Sequence, residues 1–175
     1  MRSLIALAAI AALFVACNTN PAPAKTDATA PAPDSTVYPF KARYSSNFSM
    51  GTPANAKMVL DLYKEFDDNN LDQSKDVWAD SVTMEFASGF MVHGSRDSVL
   101  AGAKMERGRY TMVMDSIDAW MPLHSNDKNE DWVAVWTREY STTLKGKNDT
   151  TDLNELWHLK NGKVDYMLQY SGKHK

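Results

Sequence analysis

The segment LNELWHLKNGKVDYMLQY, residues 153–170, carries the strongest structural signal of this chain. Apolar and polar side chains alternate on both sides of Asn161-Gly162, a dipeptide that favours the type I′ turn of a two-residue β-hairpin because both central residues take positive φ. Pairing across that turn puts Glu155 and Trp157 on the same face as Tyr166. We therefore expect this face to be the core face, with Glu155 as its only charged residue.

The segments before this hairpin also alternate, and they predict four long strands over 112–121, 131–144, 150–159 and 163–170. A turn centred on Gly146-Lys147 would set Arg138 opposite Glu155, and it would set Trp136 and Tyr140 opposite Trp157 and Leu153. That register gathers large aromatic side chains on the core face, together with an Arg138–Glu155 ion pair. It leaves Val133, Val135 and Thr137 on the outer face of the sheet.

The first half of the domain predicts three helices, over 53–66, 71–78 and 95–107. It also predicts a short hairpin over 82–93, between the second and third helices. Thr52-Pro53 is a helix start, because proline favours the first helical position. The hairpin turns at Ala87-Ser88-Gly89, and Ser95 supplies the hydroxyl that caps the last helix. The helices therefore precede the four long strands.

This order of elements resembles the nuclear transport factor 2-like, or SnoaL-like, cone fold. Three motifs carry the resemblance: DVWADSV at 76–82, His93-Gly94, and the final hairpin around Asn161-Gly162. The resemblance covers about residues 53–170. It implies an α+β domain, in which a cone-shaped, curved antiparallel sheet packs on three N-terminal helices. It also implies a pocket between the concave face of the sheet and the helices.

The aromatic and charged side chains assigned to that face are the candidate pocket residues: Trp120, Trp136, Arg138, Tyr140, Glu155, Trp157 and Tyr166. Aromatic walls with a few polar groups suit a hydrophobic or ring-bearing small molecule. The same tryptophans can instead be core packing, and Trp120 can point to either face. The Arg138–Glu155 pair is either a structural bridge or a pair that orients a ligand, since two buried charges must be paired or reach water.

The resemblance leaves the chemistry open, because the superfamily includes isomerases, dehydratases, hydrolases, non-catalytic subunits and binding modules. Asp118 and His124 are the best spare acid and imidazole. The histidines lack HxH or HExxH spacing, so neither a metal nor another cofactor is predicted. We expect a non-catalytic ligand-binding or accessory role. The alternative is an isomerase- or dehydratase-type enzyme, which requires an acid or a histidine with a perturbed pKa in the cavity.

The N-terminus MRSLIALAAIAALFVAC, residues 1–17, predicts export and lipid attachment. One arginine precedes an apolar run of signal-peptide length, which is too short for a stable transmembrane span. The last five residues, Leu13 to Cys17, resemble the lipobox of bacterial lipoproteins, in which the cysteine carries the lipid. Cys17 is the only cysteine of the chain. We therefore expect a signal peptide over 1–16 and an anchor in an envelope membrane, on its periplasmic side.

The rest of the chain divides into a tether and one domain. The lipidated cysteine and a linker rich in proline and alanine occupy 17–37, and the domain occupies 38–175. The net charge of −3 provides no basic excess for binding nucleic acid. The expected partners are membrane lipid, a hydrophobic small molecule, and a second copy of the chain bound through the outer sheet face that carries Val133, Val135 and Thr137.

Overall fold

A computed structural model describes residues 36–174. Their elements, in chain order, are β1 (Phe48–Met50), α1 (Pro53–Asp67), a 3₁₀ turn (Lys75–Val77), β2 (Trp78–Phe86), β3 (Met91–Ser95), α2 (Arg96–Arg107), β4 (Tyr110–Ser125), β5 (Glu130–Thr143), β6 (Asn148–Lys160) and β7 (Lys163–Lys173). The chain divides into the units Met1–Phe40 and Lys41–Lys175, and these elements all belong to the second unit. The predicted signal peptide, Cys17 and most of the predicted linker lie outside the described residues.

The seven strands form one curved sheet in the order β1-β4-β5-β6-β7-β2-β3. Neighbouring strands are antiparallel except β2 and β7, which are parallel, so the sheet is mixed rather than wholly antiparallel. Helix α1 packs mainly on β4, and α2 packs on β2 and β3. The core lies between the helices and the inner face, where Val59, Val82 and Val135 are fully buried. The predicted α+β cone architecture is confirmed.

The two α-helices begin where the sequence predicts. Pro53 is the first residue of α1, and the Ser95 hydroxyl accepts a hydrogen bond from the Ser98 N–H (3.3 Å) at the start of α2. This bond satisfies one of the free N–H groups of the first turn. Within residues 36–174, no helix is both long enough and apolar enough to cross a membrane.

The helix predicted over 71–78 is wrong, because only Lys75–Val77 form a single 3₁₀ turn and Trp78 opens β2. The Ser74 N–H and hydroxyl both donate to the Glu65 carboxylate, which ties this segment to α1. Trp78 pairs with Val164 of β7 and therefore needs extended backbone. The tertiary pairing thus overrides a weak helical pattern.

The Asn161-Gly162 hairpin is confirmed, since both residues have positive φ (52° and 73°). The faces predicted for β7 are nevertheless wrong beyond Val164. Asp165 forms a bulge, and its carboxylate lies 2.6 Å from Nδ1 of His158. This extra residue moves Tyr166 to the outer face and brings Gln169 to the inner face.

The register predicted between β5 and β6 is wrong by three residues. Gly146 (φ 76°) is the last residue of a three-residue loop, which Thr143 closes by donating its N–H to the Lys147 carbonyl (2.9 Å). The sequence-based register had placed this glycine at the centre of a two-residue turn. Arg138 lies opposite Asp152, so the predicted Arg138–Glu155 pairing does not form. An odd shift also exchanges the two faces of β5.

The exchange of faces reverses the predicted outer surface. Val133, Val135 and Thr137 are 0%, 0% and 2% exposed, so they belong to the core and cannot form a dimer surface. The outer face instead presents large side chains that are each at least one-third exposed, among them Met114, Met121, Trp136 and Tyr170.

Candidate functional site

A cavity of about 660 Å³ lies between the two helices and the inner face of the sheet. Apolar and aromatic side chains of α1, α2, β2 and β3 form most of its wall. The long strands contribute the polar part, which includes Asp115 of β4, Glu139 of β5 and Glu155 of β6. These three residues share the inner face because Asp115 pairs with Glu139, and Glu155 pairs with Val135 four residues before Glu139. The cone thus encloses a group of carboxylates within an apolar wall.

Glu155 is the most deeply buried of these acids, at 4% exposure. Its carboxylate accepts hydrogen bonds from the Tyr63 hydroxyl, from Trp157 Nε1 (3.1 Å) and from Gln169 Nε2 (2.6 Å). Burial raises the pKa of Glu155, and the three donors oppose that rise because they favour the carboxylate. Tyr63 and Trp157 are core residues and Gln169 is half-buried beside them, so this network fixes the floor of the cavity.

Asp115 and Glu139 form a second acidic group beside Glu155. The Asp115 carboxylate accepts a hydrogen bond from the Thr137 hydroxyl (3.1 Å), and the Asp115 N–H donates to both oxygens of Asp67 at 3.1 and 3.2 Å. Burial, and then the charges of Asp67 and Glu139, raise the pKa of Asp115 to about 8. Burial, and then the charge of Glu155, raise the pKa of Glu139 to about 6. At neutral pH the two paired acids therefore differ in protonation.

The positive charges near these acids are already engaged. Arg107 is 5% exposed and donates to the backbone carbonyls of Phe66 (2.6 Å), Asp67 (2.9 Å) and Tyr110 (3.0 Å), which joins the ends of α1 and α2 to the start of β4. Arg109 is the only basic side chain among the described residues that line the cavity, and it is paired with Glu106 at 3.0 Å. The charge of Arg107 lowers the pKa of Glu139, but burial and the neighbouring acids outweigh it and leave that pKa raised.

Solved structures with the same arrangement of elements identify the fold. An LEH-like epoxide hydrolase from Mycobacterium tuberculosis matches with a TM-score of 0.58 at 9% identity, over 69% of this chain and 84% of that one. A provisionally assigned SnoaL-like polyketide cyclase from Jannaschia sp. CCS1 gives 0.56 at 15% identity, over 70% and 90%. An NTF2-like protein of unknown function from Burkholderia pseudomallei gives 0.55 at 17% identity, over 67% and 90%. The domain has the NTF2-like fold.

At such low identities, these similarities establish the NTF2-like fold and leave the reaction open. No protein-family model matches the sequence, and no curated protein matches it. Function must therefore be inferred from the cavity of this chain itself.

Only two of the predicted pocket residues line the cavity of this NTF2-like domain, namely Glu155 and Trp157. Trp136, Arg138 and Tyr140 lie on the outer face, because the register of β5 differs from the predicted one. Arg138 is paired there with Asp152 at 2.7 Å, and this guanidinium lowers the pKa of Asp152. The predicted ligand-orienting pair is thus a surface ion pair with a different partner.

The two remaining predicted residues also lie away from the cavity. Tyr166 is on the outer face because of the β7 bulge, and its hydroxyl donates to Glu85 at 2.8 Å. Trp120 is 53% exposed. The candidate acid Asp118 and the candidate imidazole His124 do not line the cavity either. Asp118 is exposed at a bulge in β4, and His124 contacts Asp131 at 2.8 Å.

Four polar residues of the cavity were not predicted as site residues. They are the acids Asp115 and Glu139, and the residues Tyr63 and Gln169, which donate hydrogen bonds to Glu155. Asp115 and Glu139 each interrupt an apolar alternation, between Val113 and Ile117 in β4 and after Thr137 in β5. The sequence shows these interruptions, but without the register between β4 and β5 it does not show that both acids lie on the inner face of the sheet. In residues 36–174, no three histidine, cysteine or acidic side chains are arranged so that they could hold a metal ion.

Proposed function

We propose that the domain is an acid–base enzyme of the isomerase or dehydratase type, which acts on a small, largely apolar, ring-bearing molecule in the cone cavity. The observation that carries this proposal is the cross-strand pair Asp115 and Glu139, which lies in a mostly apolar cavity whose one basic residue among the described lining residues, Arg109, is paired with Glu106. The sequence alone predicts a non-catalytic role, and an acid with a perturbed pKa in the cavity is the feature that favours an enzyme instead.

The two acids have complementary tasks near neutral pH. Glu139, with a pKa of about 6, is mostly ionised and acts as the general base. Asp115, with a pKa of about 8, is mostly protonated and acts as the general acid. In an isomerisation, Glu139 removes a proton from carbon next to a carbonyl while Asp115 protonates the carbonyl oxygen. Glu139 then gives its proton to another carbon while the enol oxygen returns its proton to Asp115, which completes the shift of the double bond. Two acids with separated pKa values are a common basis for such an assignment.

The rest of the cavity supports this chemistry by holding the substrate. Trp157, Phe86 and Leu62 supply apolar wall, so an aromatic or alicyclic body can bind without leaving polar groups unpaired. Glu155 is 4% exposed, and three donors already bind its carboxylate. We therefore assign Glu155 to shaping the floor, and proton transfer to the other two acids.

We also propose that the protein is exported and attached through lipid on Cys17 to the periplasmic side of an envelope membrane. The signal-peptide pattern over 1–16 and the position of the single cysteine support this.

A homodimer through the outer sheet face remains part of the proposal. Its candidate contacts are now the exposed side chains of that face, Met114, Met121, Trp136 and Tyr170. Sedimentation of the wild type and of Trp136→Arg tests this, and a monomeric wild type would refute it.

The proposed catalysis can be tested with 5-nitrobenzisoxazole, a general substrate for proton abstraction from carbon. A base takes the ring C–H proton and the N–O bond breaks, which gives a coloured phenolate. We expect saturable turnover that rises through about pH 6, the pKa of Glu139. Glu139→Gln should lower kcat/KM by about 100-fold, a typical contribution of a general base.

The matched control is Asp118→Asn, because this exposed acid lies on β4 outside the cavity. It should leave turnover unchanged. Saturable binding of the benzisoxazole with no turnover above buffer would favour the non-catalytic binding role instead. Equal turnover by the wild type and Glu139→Gln would rule out Glu139 as the base.

A further inference from the structure

The charges that line the cavity are strongly unbalanced. Its described lining residues include five acids and one base, and they are Glu65, Glu106, Asp115, Glu139, Glu155 and Arg109. Glu65 is bound by Ser74, Glu106 is paired with Arg109, and Glu155 accepts three hydrogen bonds. Asp115 and Glu139 are left facing each other across the strands, so additional positive charge would be favourable between them.

A second and independent observation is the aromatic character of the same enclosed wall. Tyr63, Trp78, Phe86, Tyr110 and Trp157 all line the cavity. The ring centroids of Trp157 lie 5.9 Å from those of both Tyr63 and Trp78, at interplanar angles of 60° and 56°, so the three rings pack against one another in the wall. The faces of aromatic rings attract organic cations, and this attraction is greatest where water is excluded.

We propose that the molecule bound in this cavity carries an organic ammonium group, which lies against Asp115 and Glu139 while its apolar body packs on the aromatic wall. This inference rests on the proposed function, because it names the substrate class for the same site. An organic cation fits better than a metal ion, since no group of described acids and histidines is arranged to ligate a metal. A neutral ligand would add no positive charge beside the ionised carboxylate of Glu139.

Binding of such a cation is coupled to the protonation of the acids. Asp115 is faced by Asp67 at the end of α1, by Glu139 on β5 and by Glu155 on β6. Glu139 is faced in addition by Glu106 of α2, and Arg107 is the cation that acts on it. A bound ammonium favours the ionised form of Glu139, so cation binding becomes tighter as pH rises through about pH 6, the pKa of Glu139, while Asp115 keeps its proton until about pH 8.

The experiment uses two ligands of the same shape, phenyltrimethylammonium and tert-butylbenzene, which differ by a positively charged nitrogen in place of carbon. The quaternary nitrogen stays charged at every pH, so any pH dependence belongs to the protein. Calorimetric titration of the full-length chain should give a Kd about tenfold lower for the cation than for the hydrocarbon at pH 8, a ratio typical of cation recognition by aromatic and acidic groups. The ratio of the two Kd values should decrease towards pH 5.

The variants locate the preference within the cavity. Glu139→Gln and Asp115→Asn should each reduce the preference for the cation and leave binding of tert-butylbenzene unchanged, whereas Asp118→Asn should behave as the wild type. Thermal melts of the same samples verify that each variant is folded. A combination of pH-dependent cation preference in the wild type and its loss in the two cavity variants would establish the proposal.

Equal affinity for the two ligands at pH 8 would overturn this inference and leave the benzisoxazole test of proton transfer standing. Absence of binding by both ligands at millimolar concentration would overturn it as well. A cation preference without benzisoxazole turnover would refute the catalytic proposal and support the ligand class. The binding and turnover experiments can therefore refute either proposal without refuting the other.

Discussion

Asp115 shows at the scale of one residue how a functional group can weaken the fold that holds it. Its pKa rises from 3.8 in an ordinary setting to about 8 in the folded protein, because burial and the neighbouring acids disfavour its ionised form. Between pH 4 and pH 8 the folded chain therefore holds a proton that the unfolded chain has lost. The free energy of unfolding consequently decreases as pH rises through that range.

We predict that Asp115→Asn stabilises the protein at pH 8 by a few kcal/mol, on the order indicated by the pKa shift. The amide has nearly the shape of the acid but carries no charge, so the gain should vanish near pH 4, where the folded and unfolded acids are both protonated. Urea unfolding at pH 4, 6 and 8 measures the difference. Asp118→Asn, at an exposed site, should give no such pH-dependent gain. A destabilised Asp115→Asn at pH 8 would show that the carboxylate is compensated in the fold.

At the scale of the element, the two turns between the last three strands decide which side chains reach the cavity. Asn161-Gly162 forms the expected two-residue turn, but the bulge at Asp165 then exchanges the faces of β7. The three-residue loop that ends at Gly146 does the same for β5. Each change is one or three residues long, and an odd shift moves every side chain of a strand to its other face.

We predict opposite effects of the same substitution at two glycines. Gly162 has φ 73°, so Gly162→Ala forces an L side chain into the left-handed region and should destabilise the protein by about 1 kcal/mol or more. Gly102 lies within α2, and an added Cβ there meets nothing within 4 Å. Gly102→Ala should therefore stabilise by about 0.5 to 1 kcal/mol.

Thermal melts of the two alanine variants measure these effects in parallel. No Cβ contact within 4 Å is expected at Gly162 either, so a loss of stability there reports backbone conformation and not crowding. If Gly162→Ala melts at the wild-type temperature, the turn is not of the positive-φ type and the facing of Glu155 must be revised.

At the scale of the whole molecule, the proposed enzyme works from a tether. The linker predicted over 17–37 would extend up to roughly 60 Å if it were polyproline-like, at about 3.1 Å per residue. Such a length would let the cavity sample the space near a membrane without fixing its orientation. Attachment depends on acyl chains, since two or more are needed for stable anchoring.

We predict that Cys17→Ser abolishes anchoring and leaves the domain folded. In the proposed lipoprotein the thiol of Cys17 carries the lipid, a serine hydroxyl cannot replace it, and Cys17 is the only cysteine. Metabolic labelling with palmitate, followed by membrane fractionation, measures the effect. Turnover of 5-nitrobenzisoxazole by the variant serves as the control for folding. Palmitate incorporation into Cys17→Ser would contradict the lipid-anchor proposal.

The sequence by itself determined the class of fold and the order of its elements. Alternation, the proline at the start of α1 and the Asn161-Gly162 turn all act over a few residues, so they can be read locally. The confirmed parts are therefore the two helix starts, the four long strands and the final turn. Burial of Glu155 and Trp157 was also predicted correctly, because both lie on β6 before any irregularity of β7 matters.

Only the tertiary structure decided which residues meet in the cavity. Asp115 and Glu139 are 24 positions apart by their numbers, and their pairing depends on the length of every loop and bulge between β4 and β5. The pKa values that suggest a function arise from the burial and mutual repulsion of acids on α1, β4, β5 and β6. These interactions act through space between distant segments, and local sequence patterns carry no measure of them.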